Sequence, residues 1–355
     1  MNSDRFHKAK NIENGITVRD VAAKAGVSTA TVSRVLSGKE GVSPELELRV
    51  RQVIEELSYR PNQAARRLRE RRSKIIGVLV PDIQINFFAS IVVSIERELQ
   101  KAGYLLLLGN TYDDIESEKQ HIETFLSEDV AGVIFAPSTT VNTSNFKPLQ
   151  DAGVHLVAID RQPGEMLIDT VQINNTQAAL RATRHLIDEG HQNIGFIAGS
   201  DRISTSIDRQ LGYELALRQA NITFDPVLIR PGSFSIESGY QAMEALLGSD
   251  KPPSAVLIAN NSLTLGAMKY VREHDIDVPN QVAVIGFDDM PWSTILRPPL
   301  SVIVQPVNEI GISAARLMLD RIREPKSSIK HLTLETTMVI RQSCLCANSV
   351  KSKTT

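Results

Sequence analysis

The sequence holds 355 residues, 42% hydrophobic and 23% charged, an ordinary globular balance that excludes a disordered, collagen-like or mucin-like chain. Its two cysteines, Cys344 and Cys346, make neither a disulfide framework nor a four-ligand metal site, so a reduced, intracellular setting is expected. The net charge of −2 hides an asymmetry: Lys and Arg outnumber Asp and Glu 16 to 9 over residues 1–74 and are outnumbered 23 to 32 over residues 75–355. A basic module joined to an acidic body makes polyanion binding by the amino-terminal end the first expectation, with a solvated charged face as the alternative. The polar start carries no signal-peptide core, and no run approaches the ~18 apolar residues of a membrane span, so a cytoplasmic chain is expected.

Residues 1–15 read as a disordered extension, and three short helices follow between Ile16 and Tyr59. Thr17 caps the first, with Asp20 three residues on and Val21, Ala22 and Ala25 on its apolar stripe, and Gly26 ends it. Ser28 caps the second, Thr29 to Leu36, which turns Val32, Val35 and Leu36 inward and leaves Thr29, Ala30, Ser33 and Arg34 outward. Ser43 and Pro44 open the third, whose Leu46, Val50, Val53, Ile54 and Leu57 close a small core.

From Ile75 the pattern becomes apolar runs alternating with amphipathic helices. Strands are expected at 75–80, 104–108, 132–136, 155–159, 194–198, 255–259 and 282–287, and helices at 88–102, 116–128, 176–189, 209–220, 238–247, 262–274 and 307–323. Continuous rather than alternating apolar runs belong to parallel strands covered on both faces, so the body is a doubly wound α/β fold. The alternation occurs in two rounds, roughly before and after Asn174, which suggests two similar lobes with a crevice between them. Residues 60–74 carry seven cationic side chains and one acid, forming a basic arm in which a short helix through Leu68 has little to pack on.

The unit from Thr17 to Leu36 has helix-turn-helix proportions, and the exposed start of its second helix could enter a major groove; a purely structural three-helix bundle is the alternative. Arg34 can donate a bidentate pair to a guanine edge, Thr29 offers a hydroxyl and a methyl, and Ala30 can pack on a thymine methyl.

The strings TVRDVAAKAGVSTATVSRVL (residues 17–36) and YRPNQAARRL (59–68) resemble the lactose/galactose repressor (LacI/GalR) family. The likeness continues through IGVLVP (76–81), NFFA (86–89), DVAGVI (129–134), Gly190-His191, ESGY (237–240), VIGFD (284–288), Pro299-Leu300 and Gln305-Pro306, and spans residues 16–343. It implies a homodimeric regulator of transcription, probing double-stranded DNA at a pseudo-palindromic operator, with a periplasmic-binding-protein-like core that binds a small effector such as a sugar or sugar acid. The implied domains are the helix-turn-helix module at 16–60, a hinge helix and linker at 61–74, the effector and dimerisation body at 75–345 and a polar tail at 346–355. Within the body, lobe 1 takes about 75–174 and 306–333, and lobe 2 about 175–303 and 334–345. The DNA-contacting set implied is Thr17, Ser28, Thr29, Ala30, Thr31, Ser33 and Arg34 in the headpiece and Asn62, Ala65, Arg66, Leu68 and Arg69 in the hinge, with Leu68 wedged into the minor groove.

The crevice set implied by the resemblance is Phe87, Phe88, Asp160, Arg161, Asn174, Thr205, Arg209, Phe234, Asn261 and Asp288. Aromatic faces beside hydrogen-bonding side chains suit a polyol, whose hydroxyls each need a partner on leaving water. Core packing is the alternative for Phe88 and Phe234, and a loop or helix cap for Asp160 and Asp288. Asn261 stands where the family usually has Asp. Arg161 with Arg209 would suit an acidic effector, or Arg161 bridges to Asp160 at the rim. A dimer is expected, with the helix from Phe88 and its neighbours at the interface, because the tail after Ser343 has no heptad leucines.

Other chemistries find no machinery in the sequence. There is no phosphate loop at Gly38-Lys39, no dinucleotide fingerprint after Val80, no G-x-S-x-G elbow, and the seven histidines are scattered, with His185 and His191 expected near a helix C-terminus rather than on a metal. No cofactor is expected. A sugar-binding transport protein and a sugar-active enzyme are the readings from other classes, and a nucleobase effector or protein co-regulator is the alternative within this one.

Overall fold

The computed structural model describes residues 16–37, 41–57, 59 and 73–344, and the chain divides into two units, Met1–Ser73 and Lys74–Thr355. The expected extension at 1–15, most of the hinge at 61–74, the tail at 346–355 and Cys346 lie outside the described residues.

In the first unit, α1 (Val18–Ala25), α2 (Thr29–Ser37) and α3 (Pro44–Glu56) surround a core of Val21, Ala22, Ala25, Val32, Val35, Val50 and Val53. Gly26 takes φ +67°, which lets the Val27 amide donate to the Ala22 carbonyl at 3.0 Å and turns the chain sharply into α2. Pro44 opens α3 beneath Ser43, whose hydroxyl accepts from the Leu46 amide.

In the second unit two six-stranded sheets repeat one strand order. The first runs β11 (His331–Leu334), β5 (Asp169–Ile173), β4 (His155–Ile159), β3 (Gly132–Phe135), β1 (Ile75–Val80), β2 (Leu105–Asn110). The second runs β12 (Thr337–Val339), β10 (Ser301–Val304), β9 (Ala283–Phe287), β8 (Ala255–Ile258), β6 (Ile194–Ile197), β7 (Ile229–Arg230). The first sheet is parallel throughout, and in the second only β12 runs antiparallel, against β10. The covering helices are α4 (Asn86–Lys101), α5 (Ile115–Ser127), the single turn and a half α6 (Lys147–Asp151), α7 (Asn175–Asp188), α8 (Ser204–Gln219), α9 (Ile236–Leu247), α10 (Asn261–Glu273) and α11 (Val307–Arg323). The central strands are buried on both faces, as their continuous apolar runs require.

The chain passes between lobes three times: between β5 and α7 at Asn174, between β10 and α11 at Gln305-Pro306, and between β11 and β12 at Glu335-Thr336. Helices approach closely where glycine allows it. A Cβ on Gly266 would lie 1.8 Å from the Ile236 carbonyl oxygen, and one on Gly311 would lie 2.6 Å from that of Ile91, so α9 packs on α10 and α4 on α11 backbone to backbone.

Periodicity leaves out five strands: β5, β7, β10, β11 and β12. β7 has two residues, and β11 and β12 are half-exposed edges without an apolar run. β5 begins with Asp169, buried because Arg321 clamps both its oxygens at 2.8 and 2.9 Å, a partner 152 residues away that no local pattern reveals. Helix α8 also starts at Ser204, five residues before the expected Arg209, because Ser204 and Thr205 are buried small polar residues rather than part of an apolar stripe.

Candidate functional site

Two surfaces carry the candidate residues, one in each unit. In the headpiece Thr17 caps α1, its amide and hydroxyl both donating to Asp20 Oδ2 at 2.7 Å, and these bonds hold the Asp20 carboxyl below its ordinary range. Ser28 caps α2 by accepting from the Thr31 amide at 3.1 Å, with its hydroxyl 3.0 Å from that of Thr31. Thr29, Ala30 and Arg34 are exposed, while Thr31 and Ser33 are half-buried. The first turn of α2 is therefore a capped platform of small side chains with a cation one turn on. Asn62, Ala65, Arg66, Leu68 and Arg69 lie outside the described residues.

In the second unit the strand ends of both sheets face a crevice. Asp160 follows β4 and Asp288 follows β9, the equivalent strand in the repeat. Both adopt the left-handed region, at φ +61° and +69°, and their amides donate to the neighbouring strand, at Val171 and Ile303. That conformation turns each carboxylate off its strand and into a cavity of 260 Å³. Phe87, Phe88, Asp160, Arg161, Thr205, Arg209, Phe234, Asn261 and Asp288 all line it.

Asn174 does not, and the expectation that it faces the crevice is corrected. Its side-chain oxygen accepts from the Gln177 amide at 3.0 Å as the N-cap of α7.

The wall also includes residues that the motif comparison passed over, among them Asp82, Tyr112, Asp113, Asn260 and Gln305. Tyr112 and Asp113 share the positive φ of the two strand-end aspartates, at +55° and +57°. A polar turn straight after an apolar strand, as in Asn110-Thr-Tyr-Asp-Asp, is the signal that could have found them.

Both arginines line the cavity, and each already donates to protein acceptors. Arg161, 3% exposed, gives Nη1 and Nη2 to the two oxygens of Asp113 and Nη1 also to the Pro137 carbonyl at 2.9 Å. Its Nε lies 3.8 Å from Asp160, an ion pair but not a hydrogen bond. Arg209 donates through Nε to Asn175 at 2.8 Å and through Nη1 to the Ala259 carbonyl, and its guanidinium lies 4.1 Å over the Phe287 ring.

Burial raises the Asp160 carboxyl above its ordinary value against the pull of Arg161 and Arg209. Burial pushes Asp288 up to about 6, opposed by Arg209 and by the Gln305 amide, with Asp160 adding repulsion. Burial likewise lowers Arg209, against Asp288 and Asp160. The aromatic side is firm: Phe87 and Phe88 are buried and meet edge to face at 5.0 Å. Phe234 is half-buried against Gly199.

Two of the scattered histidines take structural partners. His185 sits in the last turn of α7 with Nε2 3.3 Å from Cys344 Sγ, and His191 Nδ1 meets Ser254 Oγ at 3.0 Å. Among the described residues no group of three His, Cys, Asp or Glu side chains could hold a metal ion, and no helix is long and apolar enough to cross a membrane.

Residues 17–62 match the family described as bacterial regulatory proteins, lacI family, and residues 183–344 match the periplasmic binding protein-like domain. The HTH-type transcriptional repressor PurR of Histophilus somni (strain 2336) is 34% identical over 328 residues, which cover 92% of this chain and 98% of that protein. The chain belongs to the LacI family. It is a helix-turn-helix, DNA-binding regulator of transcription under effector control. Another LacI-family relative, the ribose operon repressor of Haemophilus influenzae (strain ATCC 51907 / DSM 11121 / KW20 / Rd), is 33% identical over 329 residues, 92% of this chain and 98% of that one. Among solved structures, the lac repressor dimer bound to operator and the anti-inducer ONPF superposes with a TM-score of 0.83 at 26% identity, covering 94% of this chain and 100% of that one.

Proposed function

We propose that the chain is a cytoplasmic, homodimeric repressor whose crevice takes a neutral polyol of monosaccharide size, and that occupancy of the crevice changes the grip of the headpiece on a pseudo-palindromic operator. The observation that carries the effector class is the pair of buried carboxylates, Asp160 and Asp288, on the wall, beside an Arg161 that is already engaged by Asp113 and the Pro137 carbonyl. The acidic side chains on the wall, Asp82, Asp113, Asp160 and Asp288, outnumber the two arginines. Such a wall accepts hydroxyl protons readily and repels a carboxylate, so the sugar acid that the arginine pair suggested in the sequence is the weaker candidate. The cavity of 260 Å³ has room for a single ring, and it adjoins a second cavity of 450 Å³ that shares Asp82, Ile85, Phe234, Ser235 and Asn261. A sugar is also what the name of the ribose operon repressor indicates for that relative.

On the DNA side, Thr29, Ala30 and Arg34 read bases, Thr17, Ser28, Thr31 and Ser33 support contacts to the backbone, and Asn62, Ala65, Arg66, Leu68 and Arg69 form the hinge contribution. Two copies meet along α4 and its neighbours, where the apolar Val93 stays 43% exposed.

The test is a thermal-shift series on the full chain with D-ribose and other neutral pentoses and hexoses, their sugar acids, and purine bases. A neutral sugar at 100 times its Kd stabilises the native state by about 2.7 kcal/mol and raises the melting point accordingly. Stabilisation by sugar acids or by purines in place of neutral sugars would overturn the assignment.

A further inference from the structure

The two lobes repeat each other, but their crossovers differ at one point. In the first lobe β5 hands over to α7 through Asn174, whose side-chain oxygen caps that helix. In the second lobe β10 hands over to α11 through Gln305, with Pro306 at the cap position and no side-chain cap bond. Gln305 stands one residue before that cap, at the position that Ile173 holds in the first lobe, so an amide replaces an apolar side chain there. It is 5% exposed and lines the cavity, and its Nε2 donates to Asp288 Oδ1 at 2.7 Å. Its Oε1 is buried without a hydrogen-bond partner among the described residues. Turning the amide over would set that oxygen against a carboxylate oxygen, so leaving Oε1 without a donor is the consequence of holding Asp288.

We propose that Gln305 is a positioning residue for the effector, its amide fixing the Asp288 carboxylate in the cavity and tying that carboxylate to the crossover that opens α11. The proposal rests on the reading of Asp288 as an effector-facing group. The charged groups acting on Asp288 are Arg209 from α8, which favours its ionised form, and Asp160 after β4, which opposes it. A donor on a carboxylate favours the charged form, so the bond from Gln305 must show in the titration of Asp288 itself, with or without a ligand. Occupancy by a hydroxyl-bearing effector competes for the same oxygens, and the resulting shift of the amide is felt at the start of α11, which packs along α4.

The experiment is a ¹³C NMR titration of the full chain labelled at aspartate Cγ, with the Asp288 signal identified by its loss in Asp288→Asn. In Gln305→Leu the midpoint of Asp288 moves upward by about one pH unit, and in the near-isosteric Gln305→Glu it moves further up because a second carboxylate replaces the donor. Gln305→Met keeps the volume without the amide and moves as Gln305→Leu does, which covers the case in which the Leu variant folds poorly. An unchanged Asp288 midpoint in the Glu and Met variants, with the remaining aspartate signals in place, overturns the proposal. That outcome would leave the polyol reading standing, whereas failure of sugars to bind the unaltered chain would leave this titration unaffected.

Discussion

Replacing Asp288 with Asn should abolish a specific pH dependence of stability. The carboxyl titrates at about 6 in the folded chain against an ordinary 3.8, mainly because burial penalises its charge. A carboxyl raised on folding stabilises the protonated native state. Its contribution is fully present below pH 3.8 and is lost as pH rises through about 6. The difference of roughly two pH units is worth about 3 kcal/mol, since each unit is 1.36 kcal/mol. Asn keeps an oxygen to accept from Gln305 but cannot ionise, so its stability lacks this step, while the raised carboxyl of Asp160 still titrates in both proteins. Denaturant unfolding from pH 4 to pH 8 should show Asp288→Asn gaining about 2.5 kcal/mol on the unaltered chain as pH rises, or roughly 4–5 °C in melting temperature for a body of this size. Parallel pH profiles, or a gap that closes with rising pH, would refute the argument that Asp288 is a buried, poorly compensated carboxylate.

Two further predictions concern the crevice wall and the reading helix. A Cβ on Gly199 would lie 2.1 Å from the Phe234 ring, so Gly199→Ala drives that ring into the cavity and weakens neutral-sugar binding roughly tenfold by calorimetry, whereas adding Phe234→Ala relieves the clash. Arg34→Ala should weaken binding to a duplex selected from genomic fragments by ~1–3 kcal/mol while changing binding to random duplex little; equal losses on both would remove Arg34 from base reading.

The parts legible in the sequence are those whose causes are local. Thr17, Gly26, Ser28 and Pro44 announce the headpiece helices by capping and turn chemistry that acts over three or four residues, and runs such as Ile75 to Val80 announce buried parallel strands by composition alone. The rest depends on partners distant in the chain. Asp169 is a strand residue only because Arg321 neutralises it, and Asp113 belongs to the crevice wall where Arg161 reaches it across 48 positions. At the equivalent crossovers Asn174 and Pro306 hold the cap position, and the residue before it is Ile173 in one lobe and the cavity-lining Gln305 in the other, a difference that only the aligned strands reveal. Motif comparison could flag Asn174 but not what its side chain is bonded to. The charge of the site follows the same rule: that Arg161 is engaged by Asp113 is not visible in the sequence.

The account stands most directly on coupling between the crevice and the headpiece. Fluorescence anisotropy with a duplex that the full chain selects from genomic fragments, titrated with and without a saturating neutral sugar identified by thermal shift, measures it. An affinity change between about 5-fold and 150-fold is predicted, in either direction. Binding of the sugar with no change in duplex affinity, or failure to retain any duplex at low ionic strength, would contradict it.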